Sequence, residues 1–276
     1  KLIDEFRDPE LAQHLVESIR GLATRRWAIM EVCGGQTHGL LRHGIDAELS
    51  EVVELLHGPG CPVCVTPAEA IDQAIELAFR PGCLLTTFGD MLRVPGSQRS
   101  LIQAQTDGAT VQMVYSPLDA VKMAQAQPST QVVFFAVGFE TTAPATALAV
   151  SQAASLRLRN FSVLTAHVRV QPAMEAIAQA SNGRVNGFLA AGHVCTITGF
   201  ETYREFAERY RMPIVVTGFE PVDLLEGIYR CVQLLEQGQC DVVNAYARSV
   251  RDTGNSAASE ILQQVFVVED QPWRGL

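Results

Sequence analysis

Cys61 and Cys64 stand with two residues between them in Cys61-Pro62-Val63-Cys64, directly after Leu55-Leu56-His57-Gly58-Pro59-Gly60. Two thiols at that spacing can close to a disulfide and reopen, and a helix start beside them favours the thiolate that such exchange needs. The preceding residues 52–56 read as a short buried strand. Thr66-Pro67-Ala68-Glu69 then supplies an N-cap, a proline at the first helical position and an acid at the third. The same pair would serve as half of a zinc or iron–sulfur site, but the standard four-ligand site needs two more cysteines at similar spacing. A structural disulfide or two inert thiols is the plain alternative.

A third cysteine sits in comparable surroundings. Cys33 ends the apolar run Trp27-Ala28-Ile29-Met30-Glu31-Val32 and opens Cys33-Gly34-Gly35-Gln36-Thr37-His38-Gly39. In an open parallel sheet the loops at the strand C-termini converge, so Cys33 and the 61/64 pair are expected to meet in one crevice. His38 lies near enough in sequence to support the Cys33 thiolate or to share an ion with it. His167 follows residues 161–166 and His193 follows residues 188–192, both at strand ends, where an imidazole can act as ligand, acid, base or donor to an anion. Gly34 and Gly35 permit close approach of backbone to a bound group and join His167 and His193 as candidate cofactor-binding positions. Cys83, Cys195, Cys231 and Cys240 have no comparable company and are expected to be core or surface thiols.

The elements that must position these residues alternate regularly. Apolar runs at 28–32, 52–56, 83–87, 110–115, 132–137, 161–165, 187–190, 214–217, 242–245 and 265–268 are short and continuous, as strands covered on both faces are. Between them lie helix starts such as Ser116-Pro117-Leu118-Asp119 and Glu220-Pro221-Val222-Asp223. The expected fold is therefore α/β: two domains with open, predominantly parallel sheets flanked by helices and a crevice between them. The polar stretch 124–130 suggests the boundary, giving a first domain of 10–127 plus 241–276 and a second of 128–240. Residues 11–22 should form a peripheral helix, and 222–237 a long crossing helix. Gly-Phe-Glu recurs at 138–140, 199–201 and 218–220, where a tight turn followed by a helix-capping acid explains the echo.

Composition narrows the class. Seven cysteines among 276 residues are too few for a disulfide-scaffolded secreted domain. No basic and apolar leader and no run of eighteen apolar residues is visible, so a cytoplasmic protein without membrane insertion is expected. The net charge of −9, with no basic tract, disfavours nucleic acid as a partner. No G-x-G-x-x-G follows the first strand and no Walker A ending follows Gly58 and Gly60, which argues against a dinucleotide or ATP enzyme.

The motifs EVCGGQTHG at 31–39, HGPGCPVCVTP at 57–67, TTFGDMLRVPG at 86–96, AVGFETTAP at 136–144, TAHV at 165–168, AGHVCTITG at 191–199 and VTGFEPVDLLEGI at 216–228 together resemble the HypD family of hydrogenase maturation proteins. The resemblance covers almost the whole chain and is far more specific than the paired cysteines alone. It implies an iron-handling scaffold, paired with a small HypC chaperone, on which the Fe(CN)2CO group of [NiFe]-hydrogenase is assembled with cyanide delivered through HypE and HypF. It further implies that Cys33 is an iron ligand shared with the small partner's N-terminal cysteine, that Cys61 and Cys64 are the redox pair, and that His38 closes the first motif. Members of the family usually continue beyond a WRGL-like segment into a cysteine-rich region holding a [4Fe–4S] cluster, and that region is expected to be absent here. Two other classes stay open on the residues themselves: a cytoplasmic thiol–disulfide oxidoreductase using the same dithiol, and a noncatalytic interaction module.

Overall fold

The computed structural model describes residues 4–180 and 183–275. Its strands are β1 Trp27–Glu31, β2 Val53–His57, β3 Cys83–Thr87, β4 Val111–Met113, β5 Gln131–Gly138, β6 Phe161–His167, β7 Gly187–Ala191, β8 Ile214–Thr217 and β9 Val242–Asn244. They form two sheets, ordered β2-β1-β7-β8-β9 and β4-β3-β5-β6, and all the strand pairs are parallel. Parallel strands require crossovers, which helices supply, so the α/β class with two helix-flanked sheets follows from the alternation in sequence.

The chain divides into two compact units, one of residues 1–60 and 170–256 and the other of 61–169 and 257–276. This corrects the expected domains. Strands β7 and β8 join the sheet of β1 and β2, with Ile29 paired to Gly187 and Phe188 to Ile214. Strands β3 and β4 lie in the other sheet beside β5 and β6. The polar stretch at 124–130 is no boundary: it ends the helix Pro117–Ala126 and turns into β5. Asn160 ties that turn down, its Nδ2 donating to the carbonyls of Ala124, Gln127 and Thr130. The tenth strand, at 265–268, is also absent. A helix Ser256–Val265 ends where it was expected to begin, residues 266–268 have no regular structure, and Val267 and Val268 are 82% and 75% exposed.

In the first unit, the helix Pro9–Leu22 buries Val16 and Ile19. It belongs to one core with Ile29 and Leu189 of the sheet and Leu224, Leu225 and Ile228 of the helix Pro221–Glu236. Asp8 caps its start, accepting from the Glu10 and Leu11 backbone N–H groups. In the second unit, Phe135 faces a core containing Ile71, Leu85 and Met91, whereas its neighbour Phe134 packs with Leu84 and Ala120 on the opposite face. That alternation on a strand covered on both sides is what the unbroken apolar run predicted.

Candidate functional site

In the first unit, β1 leads directly to the Cys33 loop. Cys33 is the N-cap of the helix Gly34–Arg42, and its Sγ accepts from the Gly35 backbone N–H at 3.4 Å. The thiol is thus held where the helix dipole favours negative charge. Gly34 donates its N–H to the Gly60 carbonyl at 3.2 Å. Gly60 packs so closely on this loop that a Cβ there would lie 2.3 Å from the Cys33 Cα. Gly35 meets the Phe219 ring in a similar way, at 3.2 Å from a notional Cβ.

The anchor of the loop is Glu31, a fully buried carboxylate that sequence reasoning passed over. Its Oε2 accepts the Cys33 backbone N–H at 2.8 Å, and its Oε1 accepts from the Thr37 hydroxyl and from His57 Nδ1, the latter at 2.9 Å. A buried carboxylate is costly unless such donors surround it. Because an ionised carboxylate only accepts, His57 carries its proton on Nδ1. The signal in sequence was an acid within an otherwise apolar strand, two residues before Cys33.

His193 is the imidazole beside Cys33, with Nε2 3.9 Å from Sγ. It follows β7, which pairs with β1, so strand pairing brings the two together. Its ring lies 5.0 Å from that of Phe219, and burial pushes its pKa below the ordinary histidine value. The expected domains put His193 and Cys33 apart; the two belong to one unit and follow adjacent strands. His38, expected to support Cys33, is instead exposed on the helix Gly34–Arg42. Gln36 is buried and donates through Nε2 to the Thr217 hydroxyl at 2.8 Å, joining the loop to β8.

The dithiol lies in the second unit. Cys61 is the N-cap of a four-residue helix, Pro62–Val65, and its Sγ accepts from the Cys64 backbone N–H at 3.3 Å. The two sulfurs are 2.6 Å apart. Thr66, expected to cap the following helix, instead donates its hydroxyl back to the Pro62 carbonyl at 2.8 Å, and Pro67 precedes the helix Ala68–Phe79. The thiol hydrogen bond to Cys61, aided by partial burial and by charge on Cys61, pushes the Cys64 pKa up to about 11. At pH 8 we therefore expect Cys64 to react with iodoacetamide roughly a hundredfold more slowly than an unstructured cysteine of pKa about 8.5. Cys61→Ala removes the first and third causes and should restore most of the difference, measured by peptide mass spectrometry.

His167 ends β6 in the same unit. Thr165 Oγ1 lies 3.3 Å from its Nδ1, its ring meets that of Phe266 edge-on at 5.7 Å, and burial lowers its pKa to about 4. Between pH 6.5 and about 4, the unfolded chain holds a proton at this position that the folded chain refuses. The stabilisation is present above the unfolded value and lost as pH falls through the window, at up to about 1.4 kcal/mol per pH unit. His167→Gln should flatten that part of a stability–pH curve obtained by urea unfolding.

Cys83, Cys195 and Cys231 are buried and Cys240 is half-buried. Among the described residues, no group of three or more His, Cys, Asp or Glu side chains could hold a metal ion. A [4Fe–4S] cluster, which takes four thiolates, does not fit these residues. No helix among the described residues is long and apolar enough to cross a membrane.

A family model described as "HypD: Hydrogenase formation hypA family" matches residues 10–276. The hydrogenase maturation factor HypD of Azotobacter vinelandii is 46% identical over an alignment that takes in all of this chain and 75% of the relative. The hydrogenase expression/formation protein HupD of Azotobacter chroococcum is 47% identical, again over all of this chain and 75% of that protein. HypD of Escherichia coli K12 is 43% identical, with all of this chain and 76% of the relative covered. With its two parallel sheets and its Cys33 and Cys61/Cys64 motifs, the chain belongs to the HypD family of hydrogenase formation proteins.

Proposed function

We propose that this chain is a scaffold on which the Fe(CN)2CO group of [NiFe]-hydrogenase is assembled, with Cys33 supplying a thiolate to the iron and Cys61 and Cys64 serving as its redox pair. The observation that carries this reading is the construction around Cys33. One thiol is held at a helix N-terminus by a buried carboxylate, with the His193 imidazole 3.9 Å away. Thiolate is a soft ligand suited to iron that also carries cyanide and carbonyl. A single thiolate leaves the remaining positions to those diatomic ligands and to a donor from a second protein. That fits a small HypC-like chaperone contributing its own cysteine, with a HypE-like protein as transient cyanide donor. The iron is cargo here, held and passed on. Gly34 and Gly35 line the thiol, and His193 can donate to or accept from a bound ligand. His167 has no role at the iron in this reading, and His38 stands outside the iron's immediate surroundings.

The dithiol changes redox state without an organic cofactor, exchanging two electrons and two protons as the S–S bond closes and opens. The test is anaerobic reconstitution of the chain with iron and its small partner, followed by infrared spectroscopy for cyanide and carbonyl bands. Cys33→Ala should abolish both bands; their persistence with normal iron content would sink the ligand assignment. A thiol–disulfide oxidoreductase is the second reading, favoured by the 2.6 Å approach of Cys61 and Cys64. Dithiol–disulfide turnover by the iron-free chain, indifferent to Cys33→Ala, would select it.

A further inference from the structure

The dithiol helix Pro62–Val65 is too short to hold itself, having a single turn. Its start is capped by its own Cys61 sulfur. Its end is tied by a residue remote in sequence: the Val65 carbonyl accepts the backbone N–H of Arg274 at 2.9 Å. The Arg274 guanidinium reaches in turn to the Pro95 carbonyl, also at 2.9 Å, in the loop that follows β3. Just before it, Trp273 lies against Phe139, which follows β5, with ring centroids 5.9 Å apart. Earlier still, Phe266 meets His167 at the end of β6. The residues from Phe266 to Arg274 therefore meet the C-terminal ends of β6 and β5 and then the segment after β3, in the order of these strands across the sheet, and finish on the dithiol helix. All of these residues belong to the second unit.

We propose that residues 266–274 form a strap across this sheet edge and that Arg274 is a positioning residue for the dithiol, fixing the helix that keeps Cys64 against Cys61. The inference rests on the redox role given above to Cys61 and Cys64. Its mechanism is conformational. With the last carbonyl of the helix held, the two sulfurs face one another at short range; with it released, the turn can unwind and Cys64 swings away, lowering the effective concentration of one thiol at the other. Whatever engages the Trp273-Arg274 segment would thereby alter how readily the disulfide forms, without touching either cysteine.

The backbone bond and the guanidinium bond can be separated. Arg274→Ala keeps the N–H to Val65 and loses only the link to Pro95, whereas Arg274→Pro has no N–H to give. The full chain and each variant are equilibrated anaerobically in mixtures of oxidised and reduced glutathione, quenched by acid and alkylation, and assayed by peptide mass spectrometry. In the reaction read, one S–S bond forms between Cys61 and Cys64, the S–S bond of oxidised glutathione breaks, and two electrons and two protons pass to give two glutathione thiols. Arg274→Pro should lower the equilibrium constant for the protein disulfide about fivefold or more, and Arg274→Ala less than about twofold. Trp273→Ala, which loosens the strap without altering the backbone at 274, should shift the constant in the same direction and provides the check if Arg274→Pro does not fold. A native circular dichroism spectrum with an unchanged constant in Arg274→Pro, or in Trp273→Ala should the proline variant not fold, overturns the strap while leaving the dithiol reading intact. No Cys61–Cys64 disulfide in the unsubstituted chain at any glutathione ratio overturns both.

Discussion

Glu31→Ala is expected to cost about 4 kcal/mol of stability and to release the Cys33 loop. The carboxylate is completely buried and serves three donors, the Cys33 backbone N–H, the Thr37 hydroxyl and His57 Nδ1. Removing it strands the Cys33 N–H, at roughly 1–3 kcal/mol for a buried group left unsatisfied, and leaves the half-buried Thr37 hydroxyl only its longer approach to the Cys33 carbonyl, at 3.4 Å. His57 is partly exposed and can turn to water, so its share is smaller. Glu31→Gln keeps the shape but places an amide NH2 where an acceptor stood, and should lose roughly half as much. Urea unfolding gives the stability, and the Cys33 alkylation rate in the folded variant reports the loop. Wild-type stability in Glu31→Ala would mean that the carboxylate does not anchor the loop.

Gly60→Ala should be nearly as damaging, at about 3 kcal/mol, and for a different reason. The added Cβ would lie 2.3 Å from the Cys33 Cα, 2.4 Å from its nitrogen and 2.7 Å from its carbonyl carbon. These are backbone atoms, which cannot rotate aside as a side chain would, and the helix start at Gly34 is itself bonded to the Gly60 carbonyl. One of the two segments must therefore move, and Cys33 moves with it. Gly44→Ala offers the contrast: its φ of +67° strains any side chain, but nothing lies within 4 Å of the new carbon. It should cost about 1 kcal/mol and leave Cys33 reactivity unchanged. A Gly60→Ala variant with native stability and native Cys33 alkylation would contradict the packing described here.

The strands were legible because both sheets are parallel and covered on both faces, so each strand is a short unbroken apolar run. Periodicity could not separate such a run from apolar residues lying in the open, which is why 265–268 read as a strand although Val267 and Val268 are exposed. The division into units was hidden for another reason. The chain passes between units at Gly60/Cys61, Arg169/Val170 and Ser256/Ala257. The first two junctions have no polar linker and only the third follows one, at 251–256, whereas the polar stretch at 124–130 is a turn inside one unit, secured by Asn160.

Cys33 and the 61/64 pair stood out because each combines a thiol with a strand end and a helix start. The company they keep was less visible. His193 reaches Cys33 because β7 pairs with β1, a register that no local pattern encodes. His38 drew attention by sequence proximity, but five residues along a helix turn it to solvent. Glu31 was overlooked because an acid inside an apolar strand normally marks a solvent-facing edge, and only the donors gathered around it reveal a buried anchor.

The central claim is that iron is held by Cys33 and not by Cys61 or Cys64. Iron K-edge X-ray absorption on the chain reconstituted anaerobically with iron and its small partner tests it most directly, since sulfur and lighter scatterers are distinguished at the metal itself. Cys33→Ser should remove one sulfur from the iron's coordination shell, while the double variant Cys61→Ser and Cys64→Ser should leave that shell as it is in the unsubstituted protein. A sulfur shell unchanged by Cys33→Ser, or one lost in the double variant, would contradict the account.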